Sequence, residues 1–310
     1  IARTPNVNFS SGTQRARYYQ IRGIGERSQF SQPVNPSVGI VIDGVDFSGI
    51  GSVATMFDVN QVEVYRGPQG TRFGANALAG LINIETNKPS DTFEGKVKLL
   101  AGNYNTQGLG SVVSGPITEG VNYRIAAEQF KNDGFITNNF LKREDTNQRD
   151  ELSANAKLAI ETIDNIVLDI NFKHLSMDNG YDAFSLDNTR ETLSDNPGKD
   201  RQNTNVLSSN IQSTHFDDFL IEAFVSFADS NLEYGYDEDW TYEGIHPWEY
   251  ASIDTYYRDR ESVTTELRAV SNDSSKLFDQ TTDWVVGVYN LNVYKEPFSV
   301  GEFCYFIFFS

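Results

Sequence analysis

Three things are scarce in this sequence: cysteine, basic residues and long apolar runs. The single cysteine, Cys304, excludes an internal disulfide framework. No run of about 18 apolar residues occurs, which excludes a transmembrane helix. That absence does not exclude a membrane barrel, because barrel strands alternate lipid-facing and lumen-facing residues and so have modest mean hydropathy.

Basic residues are outnumbered, with 25 Lys and Arg against 43 Asp and Glu and a net charge of −18. Phosphate binding needs clustered Lys and Arg, so we predict that nucleic acid is not a partner. No basic patch for anionic lipid is present either. The acidic surplus fits a solvated surface, or acidic extracellular loops that meet cations or metal-loaded ligands.

Sequence signatures of catalysis and metal binding are also missing. The three histidines, at 174, 215 and 246, are far apart and form no HExxH pair, and no GxSxG occurs. The glycines at 23 and 25 lack the third glycine of a dinucleotide fingerprint, and the 67–74 turn lacks the GK[ST] of a phosphate loop. The acidic run 237–239 lacks the spacing of a calcium loop. We predict no enzyme, no cofactor and no metal site.

From Phe93 onward, apolar and polar residues alternate with period two, which is typical of strands with two different faces. A soluble sandwich would show the same alternation, so the connections discriminate better. Short and long ones interleave, as in outer-membrane barrels. The short turns lie near 117–120, 161–164, 216–218 and 273–281; the longer segments are 131–150, 178–202 and 236–259. The count is about nine strands, of which 107–116 and 203–214 have the weakest pattern.

The segment 59–89 before these strands is rich in glycine, with a short strand, a Gly-rich turn and a second strand. Its motifs are EVYRGPQG at 63–70, Phe73-Gly74, Ala79-Gly80 and INI at 82–84. Two further motifs precede it, YQIRGIG at 19–25 and VGIVIDGV at 38–45. The dipeptide Asp43-Gly44 in the second motif predicts a turn. In this order the motifs resemble the plug signature of TonB-dependent outer-membrane receptors, most strongly over Ser10–Pro89.

The resemblance and the strand pattern together predict an N-terminal α+β plug at 1–90 and an incomplete antiparallel membrane barrel at 91–295. Residues 296–310, which include Cys304, follow no strand-and-turn pattern and are expected to be an aberrant or truncated tail. Plugged transporters use about 22 strands, so we expect the chain to be a fragment, cut at both ends.

The resemblance also assigns roles to residues. Arg22 and Arg66 match two plug arginines that pair with barrel glutamates, which would lie in later strands; the alternative is two surface arginines beside turns. The signature turn comprises Gly67, Pro68, Gly70, Gly74 and Gly80. The ligand-facing loops would be 10–15, 26–32 and 47–52, with the candidate contacts Arg15, Arg27, Gln29 and Phe47.

The aromatic loop 236–259 could close over a ligand, or serve as an interfacial girdle or local packing. For function, the resemblance implies energised uptake across the outer membrane of a Gram-negative bacterium. The implied partners are the lipid bilayer, a small ligand such as a metal chelate, and TonB, acting through a box upstream of residue 1. A ferric siderophore is the leading substrate class, with cobalamin, haem and oligosaccharide as alternatives. A passive pore or an adhesin-like barrel is the competing function.

Overall fold

The computed structural model describes residues 4–10, 14–27, 36–51, 56–70, 76–161, 165–245, 252–295 and 298–309. Nearly all regular structure in these ranges is β-strand. The strands form two bodies, which we call the plug (residues 4–86) and the wall (the large sheet that follows). Among the described residues, no helix is long and apolar enough to cross a bilayer.

The plug contains a two-stranded antiparallel pair and a four-stranded mixed sheet. The pair is β1 (Val7–Ser10) with β2 (Tyr18–Ile21); the sheet contains β3 (Val38–Ile42), β4 (Val45–Asp46), β5 (Val59–Arg66) and β6 (Gly80–Thr86). The order in the sheet is β4-β3-β6-β5, with β3 and β6 parallel. All five residues of β3 are buried, as expected for a short apolar run covered on both faces.

A tight two-residue turn joins β3 to β4. Asp43 and Gly44 both have positive φ, +50° and +82°. Two successive left-handed residues form the type I′ turn that Asp-Gly sequences favour between paired strands. The turn predicted at this dipeptide is therefore confirmed.

In the described residues the wall is one antiparallel sheet of ten strands. They are β7 (Glu94–Gly102), β8 (Thr106–Thr118), β9 (Val121–Asn132), β11 (Arg149–Glu161), β12 (Ile166–Tyr181), β14 (Gly198–Ser213), β15 (Phe219–Asp237), β16 (Ile253–Ser271), β17 (Trp284–Lys295) and β18 (Phe298–Phe309). The long connections contain β10 (Thr137–Asn138) paired with β13 (Glu191–Thr192), and a single helical turn, α1 (Leu277–Gln280), lies between β16 and β17.

The tenth strand is the main departure from the sequence-based expectation. Residues 298–309, expected to be an aberrant tail without strand character, pair in antiparallel register along all of β17. Their aromatic and β-branched composition favours a strand, although they lack the polar alternation by which the other strands were recognised. The two weakly patterned segments are the strands β8 and β14, and β6 and β7 flank the boundary predicted near residue 90.

The outer face of the wall has a sharp polarity boundary. One directly paired row of outward side chains is apolar: Phe172, Leu207, Phe227 and Val263. The next outward row is polar: His174, Asn205, Asp229 and Glu261. We call the end of the wall away from the long connections the lower end. Below the boundary, the apolar side of β12 extends back to Ile166, which is roughly 20 Å at about 3.3 Å per residue. This approaches the apolar band of about 25 Å in outer-membrane barrels.

Inside the wall, the apolar core of the plug continues onto the strands. The plug contributes Ile40, Ile42, Val45, Phe47, Ile50, Ile82 and Ile84, and the wall contributes Leu175, Met177, Val206, Ala228 and Leu232. The plug sheet therefore lies on the concave side of the wall.

Candidate functional site

The plug is tied to the wall by carboxylates on and near its hairpin. At the hairpin tip, Asp43 lies 3.2 Å from Lys157 Nζ and 3.3 Å from Lys173 Nζ. The backbone N–H of Thr86 donates to its Oδ1 at 2.9 Å. Burial raises the pKa of Asp43, but the two lysines and Thr86 outweigh it and hold that pKa below its usual value. The carboxylate is therefore charged and bridges β11 and β12.

Two further plug carboxylates reach distant parts of the wall. Asp46 Oδ2 accepts a hydrogen bond from Arg260 Nη2 of β16 at 2.7 Å. Asp58 Oδ2 accepts one from Arg124 Nε of β9 at 2.8 Å. Because several strands separate β9 from β16 in the sheet, these contacts hold the plug on both sides.

Nearer the long loops, basic side chains of the plug meet carboxylates of the wall. Arg15 forms a two-pronged ion pair with Glu151, and Arg149 binds the same carboxylate. Arg17 is fully buried and pairs with Asp200, while its Nε and Nη1 atoms have no hydrogen-bond partner among the described residues. Burial lowers the pKa of Arg15, but its hydrogen bonds and charge interaction with Glu151 raise it above the usual value.

Aromatic side chains surround this basic layer. The ring centroids of Tyr181 and Tyr234 lie 5.6 Å apart, and those of Tyr234 and Tyr256 lie 6.1 Å apart. Burial raises the pKa of Tyr18 on the plug, although the charges of Arg258 and Arg17 oppose it. Guanidinium and phenol groups together can pair with anionic oxygens and stack on aromatic rings. We call the set Arg15, Arg17, Tyr18, Arg149, Tyr181, Tyr234, Tyr256 and Arg258 the outer layer.

A cavity of about 360 Å³ lies beneath the hairpin, between the plug and the lower part of the wall. Its lining is largely polar and charged, with residues that include Asp43, Glu63, Asn83, Glu85 and Lys157. Such a lining can hold water and mobile polar groups next to the plug.

The two predicted anchoring arginines are not engaged in this part of the protein. Arg22 and Arg66 are exposed, and neither forms an ion pair with a described residue. Their partners were expected in strands that follow this chain, so the anchoring role stays a prediction.

The predicted ligand contacts have different outcomes. Arg15 belongs to the outer layer and keeps 29% of its side chain exposed. Arg27 is exposed, and Gln29 lies outside the described residues. For Phe47 the prediction of a ligand-facing ring is wrong, because its side chain has no exposed surface and packs in the plug core. Its N–H donates to Ile40 O at 2.8 Å, which turns the chain back onto β3.

In the signature turn, the structure explains why two of the positions are glycine. Gly80 has φ +156°, and a Cβ there would lie 2.3 Å from Tyr65 O. Gly67 has φ +131°, a conformation that side chains rarely adopt. A Cβ at Gly70 would meet open space, Pro68 follows β5 in irregular backbone, and Gly74 lies outside the described residues.

The aromatic loop packs locally in its described part. Trp240 stacks on Phe184 at 5.0 Å, and Tyr242 stacks on Phe140 at 4.4 Å. These contacts join neighbouring loops. Residues 246–251 of the same segment lie outside the described ranges.

Sequence reasoning missed the residues that make most plug–wall contacts. Asp43 was noted only as part of a turn, and Asp46, Arg17 and Arg260 were not singled out. One signal was present: Lys157 and Lys173 occupy the polar side of their strands, which faces the lumen in a barrel. A lysine there needs a carboxylate partner, and the plug supplies it.

Comparison with known proteins identifies the N-terminal part. The family model for the TonB-dependent receptor plug domain matches residues 1–81. The pesticin receptor of Yersinia pestis is 32% identical over 120 residues, covering 38% of this chain and 17% of that protein. The ferripyoverdine receptor of Pseudomonas aeruginosa is 34% identical over 132 residues, covering 41% of this chain and 16% of that protein.

Solved structures share the fold over nearly the whole chain. The ferric yersiniabactin uptake receptor of Yersinia pestis superposes with a TM-score of 0.78 at 22% identity, covering 94% of this chain and 45% of that one. The ferripyoverdine receptor of Pseudomonas aeruginosa, bound to ferripyoverdine, gives 0.69 at 19% identity, covering 94% and 39%. This chain thus spans less than half the length of the structures it matches.

Proposed function

Because this chain belongs to the TonB-dependent receptor family, we propose that the protein takes up a ferric siderophore through the outer membrane of a Gram-negative bacterium. Its relatives support this substrate class, since they include receptors for ferrioxamine B, ferripyoverdine and ferric enterobactin. The protein is proposed to be a transporter and not an enzyme.

The observation that carries the proposal is the outer layer. It combines plug residues, such as Arg15 and Tyr18, with wall residues, such as Arg149 and Tyr234, at the end of the wall where the long loops emerge. A ligand bound there would contact the movable and the fixed part of the protein at once. Iron chelates with phenolate or carboxylate groups match its guanidinium and phenol groups.

The plug–wall contacts support a plug that can be displaced. Much of the plug's attachment to the wall consists of discrete ion pairs, at Asp43, Asp46 and Asp58, and the cavity described above borders the Asp43 pairs. Water entering that cavity could replace the Asp43 pairs, whereas a wholly apolar interface would offer no such exchange. We propose that TonB supplies the pull, drawing on the proton gradient of the inner membrane.

Uptake of iron-55 siderophores by a receptor-deficient strain expressing the intact protein tests this function. We expect accumulation that requires TonB and saturates with ligand. Uptake that is equal with and without TonB would instead support a passive pore or an adhesin-like barrel. Cobalamin, haem and oligosaccharides, offered as competitors, test the alternative substrates.

A matched pair of variants tests the outer layer. Arg15→Gln removes a lumen-facing charge, and we expect it to weaken siderophore binding roughly tenfold, the worth of one charge-assisted hydrogen bond. Arg201→Gln makes the same charge change on a side chain that pairs with Asp178 and Glu233 in the wall. It should leave binding unchanged. Equal losses in both variants would contradict a site in the outer layer.

A further inference from the structure

Two carboxylates face each other where two long loops meet. Asp237 ends β15, and Asp239 follows it at the start of the connection to β16. The carboxyl group of Asp237 lies beside that of Asp239 and beside the hydroxyl of Ser194, which comes from the connection between β12 and β14. Three oxygen-bearing groups from two loops therefore converge on one point.

These groups are buried without adequate partners. Asp237 has 5% and Ser194 has 2% of its surface exposed. Asp237 Oδ1 accepts the N–H of Trp240 at 3.2 Å. The Oδ2 atoms of Asp237 and Asp239 and the Oγ of Ser194 are all buried and lack a hydrogen bond of good geometry to any described residue. Buried oxygens in this state cost free energy unless something binds them.

Within the described ranges, no neighbouring cation neutralises the pair. The basic residues at this end of β14 are committed elsewhere, since Lys199 pairs with Glu233 and Arg201 pairs with Asp178 and Glu233. The segment 236–245 has four carboxylates and no Lys or Arg. Two adjacent carboxylates in such surroundings must share a proton or bind a cation.

We propose that Asp237, Asp239 and Ser194 bind a divalent cation of the calcium class. Hard oxygen ligands, namely two carboxylates and a hydroxyl completed by water, suit Ca²⁺, which tolerates irregular geometry better than Mg²⁺. The cation would reinforce a link that the backbone already makes between the two loops, where Asp195 N–H donates to Thr241 O at 3.0 Å.

The sequence could not show this site, because the run 237–239 has no calcium-loop spacing and Ser194 lies more than forty positions earlier. It is also smaller than a conventional metal cluster: no group of three or more His, Cys, Asp and Glu side chains with metal-binding geometry occurs among the described residues. With few protein ligands, we expect a dissociation constant of about 10⁻⁴ to 10⁻³ M, as in extracellular calcium modules.

Calorimetric titration of the intact, chelator-treated protein in detergent with CaCl₂ and with MgCl₂ tests the proposal. We expect one Ca²⁺ site per chain that binds Mg²⁺ more weakly. Asp239→Asn, at a half-buried position, should weaken Ca²⁺ binding at least about tenfold, the loss of one charged ligand. Glu243→Gln, an exposed carboxylate in the same loop, is the matched control and should bind as the wild type does.

Thermal unfolding separates the cation from a shared proton. If the pair needs a cation, Asp239→Asn should unfold at a higher temperature than the wild type in chelator, because it lacks one of the two repelling charges. In 10 mM Ca²⁺ it should unfold at a lower temperature than the wild type, because it lacks one ligand. This concentration is about tenfold or more above the expected dissociation constant. A wild-type unfolding temperature that does not change with Ca²⁺ but rises as the pH is lowered would overturn the proposal in favour of a shared proton. So would equal Ca²⁺ affinity in the wild type and Asp239→Asn.

Discussion

The lower and upper parts of the wall strands differ in how apolar and polar side chains are distributed between the outer and inner faces. Below the row that contains Phe172 and Phe227, outward side chains are apolar and inward ones are mostly polar, as with Asn171 and its neighbour Lys157. Above it the outward side chains are polar, as with Asp229, and the inward face gains apolar side chains that pack on the plug, such as Leu232. One continuous strand thus passes from a segment with an apolar outer side into a segment that presents apolar side chains to the plug.

This difference separates two kinds of plug–wall contact. In the upper part the plug core packs on apolar wall residues such as Leu175 and Met177. In the lower part the plug meets the polar lumen, and Asp43 supplies a charge for lysines that the barrel pattern has placed there. The upper contact combines an apolar core with ion pairs such as Arg17–Asp200, whereas the lower contact depends mainly on charge balance.

Removing the charge of Asp43 should have the largest effect, because it leaves two buried lysines without their anion. We expect Asp43→Asn to destabilise the plug by about 3–5 kcal/mol, the cost of breaking a buried ion pair. Hydrogen exchange of plug and wall amides in the intact protein would measure this, since it reports each part separately.

The matched control replaces the partners as well. Adding Lys157→Met and Lys173→Met to Asp43→Asn removes the orphaned charges, so most of the stability should return. A loss below about 1 kcal/mol in Asp43→Asn, the level of an exposed ion pair, would show that the lower interior is not charge-balanced as described.

A charge placed on the outer face should show where the bilayer ends. Val225 faces outward two positions below Phe227, and Asn231 faces outward above the boundary. We expect Val225→Arg to cost about 1–2 kcal/mol in lipid vesicles, between the costs of arginine near the interface and at the bilayer midplane. Asn231→Arg on the same strand should cost almost nothing. Both costs can be measured by reversible urea unfolding in vesicles. Similar costs at the two positions would show that the polarity boundary does not mark the edge of the bilayer.

Much of the wall could be predicted from the sequence, and the reversal could not. The alternation of Ile166, Leu168, Ile170 and Phe172 marks one apolar side of the strand, which is the pattern expected where only one side meets lipid. Beyond His174 the apolar residues change sides, and this pattern has meaning only once the plug is known to lie against it. The contacts between plug and wall were harder still to predict, because Asp43 contacts Lys157 across more than one hundred residues. No sequence motif or spacing indicates such a contact.

The pH dependence of plug stability should be the smallest of these effects. Its direction tests whether the lower contact depends on the ionised carboxylate of Asp43. The pKa of Asp43 in the folded protein lies below its usual value, so its contribution is fully present above about pH 4, the unfolded pKa, and is lost as the pH falls through the folded pKa. We therefore expect this contact to leave plug stability unchanged between about pH 5 and 8 and to weaken it only in stronger acid. Hydrogen exchange at a series of pH values should show that acid-dependent loss in the wild type and a smaller one in Asp43→Asn. Equal acid-dependent losses in the wild type and in Asp43→Asn would mean that the lysines do not stabilise the Asp43 carboxylate, and the lower contact would then be worth no more than an ordinary surface ion pair.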